Sequence, residues 1–477
     1  MIIPILATIV VLAPLAFLWQ ASLLPKSLPV MDMGYADYGG GPVSTHDHHG
    51  QGISVPDLRV DPSRRADATF SLTAEQTTLT VGSKTVPGYT VNGTSPGPTL
   101  TAVQGQLIEV HLTNVSVTDG VALHWHGIDV PNSMDGVAGV TQDAVPVGGT
   151  FTYRFVAGQA GTYWYHSHQV SDKQVTGGLF GALVIKPRAR LPQSVDVLAT
   201  AHIYGGQKTL NGKPEDLRVA AKPGEQVRVR VINTDNGPVE TWAGSPYRVL
   251  AIDGYDVHEP TDVIGKAVTL TGGARVDLGV TMPADGSPVR VQISKGTAVI
   301  LGSGDPGPVP QPAADLDLLS YGTRTPLPFD VAKATRHFEY SVGHRPGFVK
   351  GRPGLWWSIN GHLYPNVPMY VVQEGDIVIM HIDNHSGEVH PMHLHGHHAV
   401  VLARNGVAAT GSQWWIDTLN VADKDNYDIG FVADNPGIWM DHCHNLQHAA
   451  QGMVAHLMYA GVTTPYVIGG PPDNQPE

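Results

Sequence analysis

Apolar and polar residues alternate with a period of two along most of this chain, in short runs broken by Gly, Pro and Asn. Three stretches show it best. Asn92-Gly93 leads to Gly105-Gln106-Leu107-Ile108-Glu109-Val110-His111-Leu112-Thr113-Asn114. Asn211-Gly212 leads to Gly224-Glu225-Gln226-Val227-Arg228-Val229-Arg230-Val231-Ile232-Asn233. Asn360-Gly361 leads to Gly375-Asp376-Ile377-Val378-Ile379-Met380-His381-Ile382-Asp383-Asn384. Each is a turn, a spacer, then a strand with one buried face ending in Asn. Copies this far apart are repeated domains and not a solenoid. The pattern predicts an all-β chain of three β-sandwich domains, over residues 66–190, 193–310 and 329–465. Linkers are expected at Lys186–Pro192 and in the Pro/Gly-rich Gly302–Pro328.

The N-terminal part departs from this pattern. Residues 1–25 hold no charged side chain and are long enough for a membrane span. A cleaved signal peptide is the rival reading, but a basic start and a small-x-small cleavage site are missing. Lys26, Arg59, Arg64 and Arg65 all follow the segment, which by the positive-inside rule places the globular part in the cytoplasm. Against that, an extracytoplasmic protein is expected, attached through residues 1–25 or secreted. Residues 26–65 read as a polar linker, a disordered tether in which Met31-Asp32-Met33 and His46-Asp47-His48-His49 could capture copper transiently.

Composition narrows the function. With 42% hydrophobic and only 15% charged residues, the 477-residue chain can build real cores. A net charge of −13 argues against a nucleic-acid partner. Histidine is the outlier, at 24 against 29 Lys plus Arg, and there is a single cysteine.

That cysteine lies in Asp441-His442-Cys443-His444-Asn445-Leu446-Gln447-His448, with Met453 beyond. A thiolate, imidazoles and a thioether are the donors of a blue-copper site. A lone Cys is more often a buried free thiol, but three more histidine clusters oppose that reading. They are His124-Trp125-His126-Gly127, His166-Ser167-His168 and His390-Pro391-Met392-His393-Leu394-His395. The clusters follow the first and third copies of the repeat and none follows the second, so the middle domain reads as a spacer. Successive side chains of a strand point to opposite faces. Cys443 then faces one way, and His442 with His444 the other. His390 differs from His393 by an odd number and can join Cys443. Two sets result. Cys443, His390, His448 and Met453 form a mononuclear site. His124, His126, His166, His168, His393, His395, His442 and His444 form an eight-imidazole site, too many donors for one ion and suited to three coppers. Structural zinc prefers four ligands, often thiolates.

These four motifs, in this order, resemble those of the multicopper oxidases, most nearly the three-domain bacterial laccase type, over roughly residues 66–462. The resemblance implies three cupredoxin-like Greek-key domains and four copper ions. His390, Cys443 and His448 resemble type 1 ligands, with Met453 axial. His124 and His393 resemble type 2 ligands. His126, His166 and His444 resemble the ligands of one type 3 copper, and His168, His395 and His442 those of the other. It further implies one-electron oxidation of a small reducing substrate, a phenol or aromatic amine, near His448. Electrons then cross Cys443 to the cluster, where dioxygen is reduced to water. Asp135 resembles the family's acid near the cluster; its alternative is a turn aspartate. The chain departs from many relatives at Ala449 and Asn445, where an acid is common, which leaves Asp441 as a further candidate. A metallo-oxidase of Cu(I), Fe(II) or Mn(II) is the rival function, although no methionine-rich insert is present. A copper nitrite reductase would not need eight cluster imidazoles, and a non-enzymatic envelope protein on this scaffold would be expected to lack ligands.

Overall fold

The computed structural model describes residues 2–42, 52–189 and 191–477, with side chains from Leu12 onward. Three pairs of β-sheets follow one another along the chain. The first pairs a four-stranded sheet holding Leu123–His126 and Gly161–Ser167 with a second built on Ala68–Val81 and Leu107–Asn114. The middle pair is six- and five-stranded and includes Gln226–Asn233 and Arg275–Thr281. In the last, His390–Leu394 and Ile438–Cys443 are neighbours in a six-stranded sheet that faces a sheet built on Arg336–Val349 and Ile377–Asn384. Each pair encloses its own apolar core.

The three Asn-Gly turns take one form. Asn92, Asn211 and Asn360 have φ of 52°, 50° and 52°, and each following glycine is also left-handed. Each Asn side chain clamps a neighbouring strand, accepting from the N–H of Thr73, Thr200 or Ser341 and donating to the carbonyl of Ser71, Leu198 or Glu339. The asparagines that end the alternating strands, Asn114, Asn233 and Asn384, are fully buried. Asn384 donates to the carbonyls of Glu388 and Val421, and Val421 pairs with His390. A repeat residue thereby shapes the loop that delivers His390.

One expectation is corrected. Much of 26–65 is not a free tether. Ser27–Pro29 pairs with Val467–Gly469, Tyr35–Asp37 with Pro368–Tyr370, and Ile53–Ser54 with Val462–Thr463. Val30, Met33 and Val55 enter the core of the last sandwich, where their burial outweighs the polarity of the surrounding sequence. Met33 is therefore a packing residue, and His46-Asp47-His48-His49 lies outside the described residues. Attachment to a membrane is not shown. Ile2–Ala21 is helical with Pro14 inside, yet among the described residues no helix is long and apolar enough to cross a membrane. The helix end contacts the last sandwich, Trp19 Nε1 donating to Gly351 O at 3.1 Å.

Candidate metal centres

The strand Ile438–Cys443 carries two faces of chemistry. Cys443 Sγ lies 3.6 Å from His390 Nδ1 and 3.7 Å from His448 Nδ1, and those two nitrogens are 3.1 Å apart. Their outer nitrogens are held elsewhere: Ser386 Oγ is 2.7 Å from His390 Nε2, and the Asn445 amide is 3.0 Å from His448 Nε2. Glu388 Oε2 lies 3.5 Å from His448 Nε2. Trp357 packs against both imidazoles, its ring 4.4 Å from that of His448. Met453 is fully buried, and its carbonyl accepts the Cys443 N–H.

On the opposite face, eight imidazoles from the first and last sandwiches meet. The donor atoms of His124, His126 and His393 approach one another, as do those of His126, His166 and His444, and those of His168, His395 and His442. His124 Nε2 is 3.4 Å from His393 Nε2, and His442 Nε2 is 3.4 Å from His168 Nε2 and 3.2 Å from His395 Nε2. Other ring nitrogens are tied back. Nδ1 of His124 and of His393 each face a backbone carbonyl, Asp135 O and Asp417 O. Asp135 is buried, with Oδ2 3.0 Å from His395 Nδ1 and Oδ1 3.1 Å from His124 Nδ1. Among the described residues, His126 Nδ1, His166 Nε2 and both nitrogens of His444 are buried without a hydrogen-bond partner.

Unpaired buried nitrogens are costly in a protein, and here they converge. Burial depresses His126, His166, His168, His393, His395, His442 and His448, and takes His390 and His444 to about 3, so these are neutral ligands. Burial also pushes the Cys443 thiol up. A cation at Sγ is what would make it a thiolate. The donor set therefore fits copper: thiolate with two imidazoles on one side, imidazoles alone on the other.

Family models described as multicopper oxidase match residues 73–190 and 331–461. The chain belongs to the multicopper oxidases. The chain is 28% identical to Laccase-1 of Botryotinia fuckeliana, over 82% of this chain and 81% of that protein. It is 29% identical to Multicopper oxidase MmcO of Mycobacterium tuberculosis, over 83% and 88%. Among solved structures, a multi-copper oxidase from Pseudomonas thermotolerans superposes with a TM-score of 0.69 at 26% identity, covering 83% of this chain and all of that one. The protein is thus a copper-dependent oxidoreductase that uses dioxygen, with one type 1, one type 2 and two type 3 coppers.

The fold of this oxidase adds residues that motif spacing does not reveal. Glu477 is buried, its Oε1 3.2 Å from His442 Nδ1 and 3.7 Å from His168 Nε2, while Oε2 accepts from Ser171 at 2.6 Å. It brings a carboxyl to the cluster of a chain whose motif has Ala449 and Asn445. Asp441, by contrast, shares the Cys443 face of its strand and so turns away from His442 and His444. Burial raises it to about 8. Asp417, buried between His126 and His393, and Arg275 of the middle sandwich also reach the cluster. The middle sandwich is accordingly more than a spacer. No sequence signal marks Arg275, because its partners stand far away in the chain.

Proposed function

We propose that this oxidase removes electrons singly from phenols and aromatic amines at the Cys443 centre and passes them to the histidine cluster. Four such oxidations, with four protons, convert one dioxygen to two waters. The observation that carries this reading is the split of one strand: Cys443 faces His390 and His448, while His442 and His444, bonded to it in sequence, join the other imidazoles. In this reading His390, Cys443, His448 and Met453 would hold type 1 copper, and His124 and His393 would hold type 2. His126, His166 and His444 would hold one type 3 ion; His168, His395 and His442 would hold the other. Bound copper supplies the one-electron couples. The chain excludes water from the thiolate and holds rings such as His124, His126, His390 and His393 by their outer nitrogens.

The rim supports an aromatic substrate. Trp357 packs at a tilt against His448, the ring planes 41° apart, and Glu388 is an exposed carboxylate 3.5 Å from His448 Nε2, placed to accept a phenolic proton. The same carboxylate favours a second reading, oxidation of Cu(I), Fe(II) or Mn(II), which it would attract as cations. An extracytoplasmic location is proposed with either. Turnover of a dimethoxyphenol, Fe(II) and Cu(I), compared on wild type and Glu388→Gln, is the test. Higher kcat/KM on the phenol supports the first reading. Preference for a metal ion, lost in Glu388→Gln, would replace it with the second.

A further inference from the structure

We propose that Arg275, on the middle sandwich, is a positioning residue of the trinuclear centre, holding Asp417 against His126 and His393. The proposal rests on the reading of the eight-histidine cluster as that centre. Arg275 begins the strand Arg275–Thr281 and is 1% exposed. Its Nε donates to Thr162 O of the first sandwich at 3.0 Å, and its Nη1 donates to Asp417 Oδ1 of the last sandwich at 2.6 Å. Nη2 lies 2.6 Å from Asp417 Oδ2, as an ion pair too bent for a second hydrogen bond. One guanidinium thus touches all three sandwiches, beside the cluster.

Asp417 transmits this to the ligands. Its Oδ1 is 3.2 Å from His126 Nε2 and 3.6 Å from His393 Nδ1, and its carbonyl faces His393 Nδ1 at 2.8 Å. Fixing these outer nitrogens leaves His126 Nδ1 and His393 Nε2 for metal, the first without a protein partner and the second directed at His124. A second partner competes for the carboxylate. His398, which lines a cavity of about 740 Å³ at the junction of the sandwiches, lies 3.3 Å from Asp417 Oδ2. Arg275 opposes a swing of Asp417 towards that cavity. Asp253 completes the strut, accepting the backbone N–H of Arg275 at 2.8 Å and those of Asp417 and Thr418 at 3.3 Å.

The His-Trp-His-Gly motif carries the imprint of this pair. Gly127 has φ +83°, and a Cβ there would run into Arg275 Nη2 and come within 2.6 Å of Asp417 Oδ2. Gly273, two residues before Arg275, likewise has no room for a side chain, since a Cβ would come within 2.8 Å of His126 Cε1. The middle sandwich approaches the cluster as closely as bare backbone allows.

The test uses full-length, copper-loaded protein with Arg275→Met and Arg275→Lys, read by type 2 EPR, by copper retained against a chelator and by the blue absorption. The blue band reports an intact last sandwich. Arg275→Met is expected to keep that band while its type 2 hyperfine pattern shifts and copper affinity at the cluster falls about 10–100-fold. Arg275→Lys, which keeps the charge but has no fork, should fall between. A loaded Arg275→Met with wild-type type 2 spectrum and copper retention would overturn the proposal. Should Arg275→Met lose the blue band as well, Arg275→Lys decides. A kept blue band with an altered type 2 signal supports positioning, whereas both signals unchanged, or both lost, overturns it. Wild-type protein that takes up no copper would instead sink the underlying assignment.

Discussion

Replacing Asp135 by Asn is nearly isosteric, so its effect isolates the carboxylate. Asp135 Oδ2 is 3.0 Å from His395 Nδ1, and Oδ1 is 3.1 Å from His124 Nδ1, which also donates to Asp135 O at 2.9 Å. With the Nε2 atoms of both rings turned to the cluster, both Nδ1 atoms carry hydrogen. The carboxylate accepts from His395 through Oδ2, while Oδ1 lies beside His124 Nδ1 without a hydrogen bond. The amide accepts from one and sets its own N–H against the other. Reducing a charge-assisted bond to a neutral one costs about 1–1.5 kcal/mol, and a buried donor facing a donor adds about 1–3 kcal/mol. The sum, about 2–4.5 kcal/mol, corresponds to about 30- to 2,000-fold. It should appear as weaker copper retention at the cluster and slower reoxidation by dioxygen. Reduction of the Cys443 centre by substrate should be nearly untouched, because Asp135 has no contact there. Two measurements check this: anaerobic stopped-flow reduction of the blue band, then reoxidation of the reduced, fully loaded variant by dioxygen at several pH values. Wild-type copper retention together with wild-type reoxidation across that range would refute the reasoning and leave Asp135 a turn residue.

Three further outcomes are expected. Cys443→Ser should abolish both blue absorption and substrate oxidation, since a hydroxyl replaces the only thiolate donor; a variant that stays blue and active refutes the assignment. Met453→Leu should raise the type 1 potential, because losing a weak thioether donor favours the reduced ion; voltammetry showing an unchanged or lower potential would make Met453 a packing residue. His456 is fully buried, neither ring nitrogen has a partner, and burial lowers it from 6.5 to about 4. The unfolded chain therefore binds the extra proton below pH 6.5, so stability falls as pH drops through that value. By pH 5 the loss is about 2 kcal/mol. His456→Gln should flatten that part of the Tm-against-pH curve, and an unchanged slope would mean that His456 is protonated in the folded protein.

Much of the candidate site was legible in the sequence because its signals are local. His-x-His and His-Cys-His place donors on strand faces by parity alone, and the chain cannot alter that geometry. The Asn-Gly turns and the alternating strands that follow are likewise local, fixed by left-handed backbone and a period of two. Less was legible where burial is decided by distant partners. Val227, Val229 and Val231 alternate with Arg228 and Arg230, which reads as one solvated face. That face is buried, with Arg230 Nη1 donating to Thr162 Oγ1 and both arginines paired to Asp277. Residues 26–65 read as a tether because their apolar residues are sparse, yet Val30, Met33 and Val55 find a core already built by other strands.

By itself, then, the sequence determined the strand period, the three turn-and-strand units, the ligand motifs and the relative facing of the donors in each His-x-His and His-Cys-His pair. Tertiary structure alone decided which faces meet, and with them the polar surroundings of the donors. Arg275, Asp417 and Glu477 reach the histidines through contacts between residues remote in sequence. The physical reason is that backbone geometry reports on neighbours a few residues away, whereas the pairing of a buried charge depends on where whole sheets come to rest.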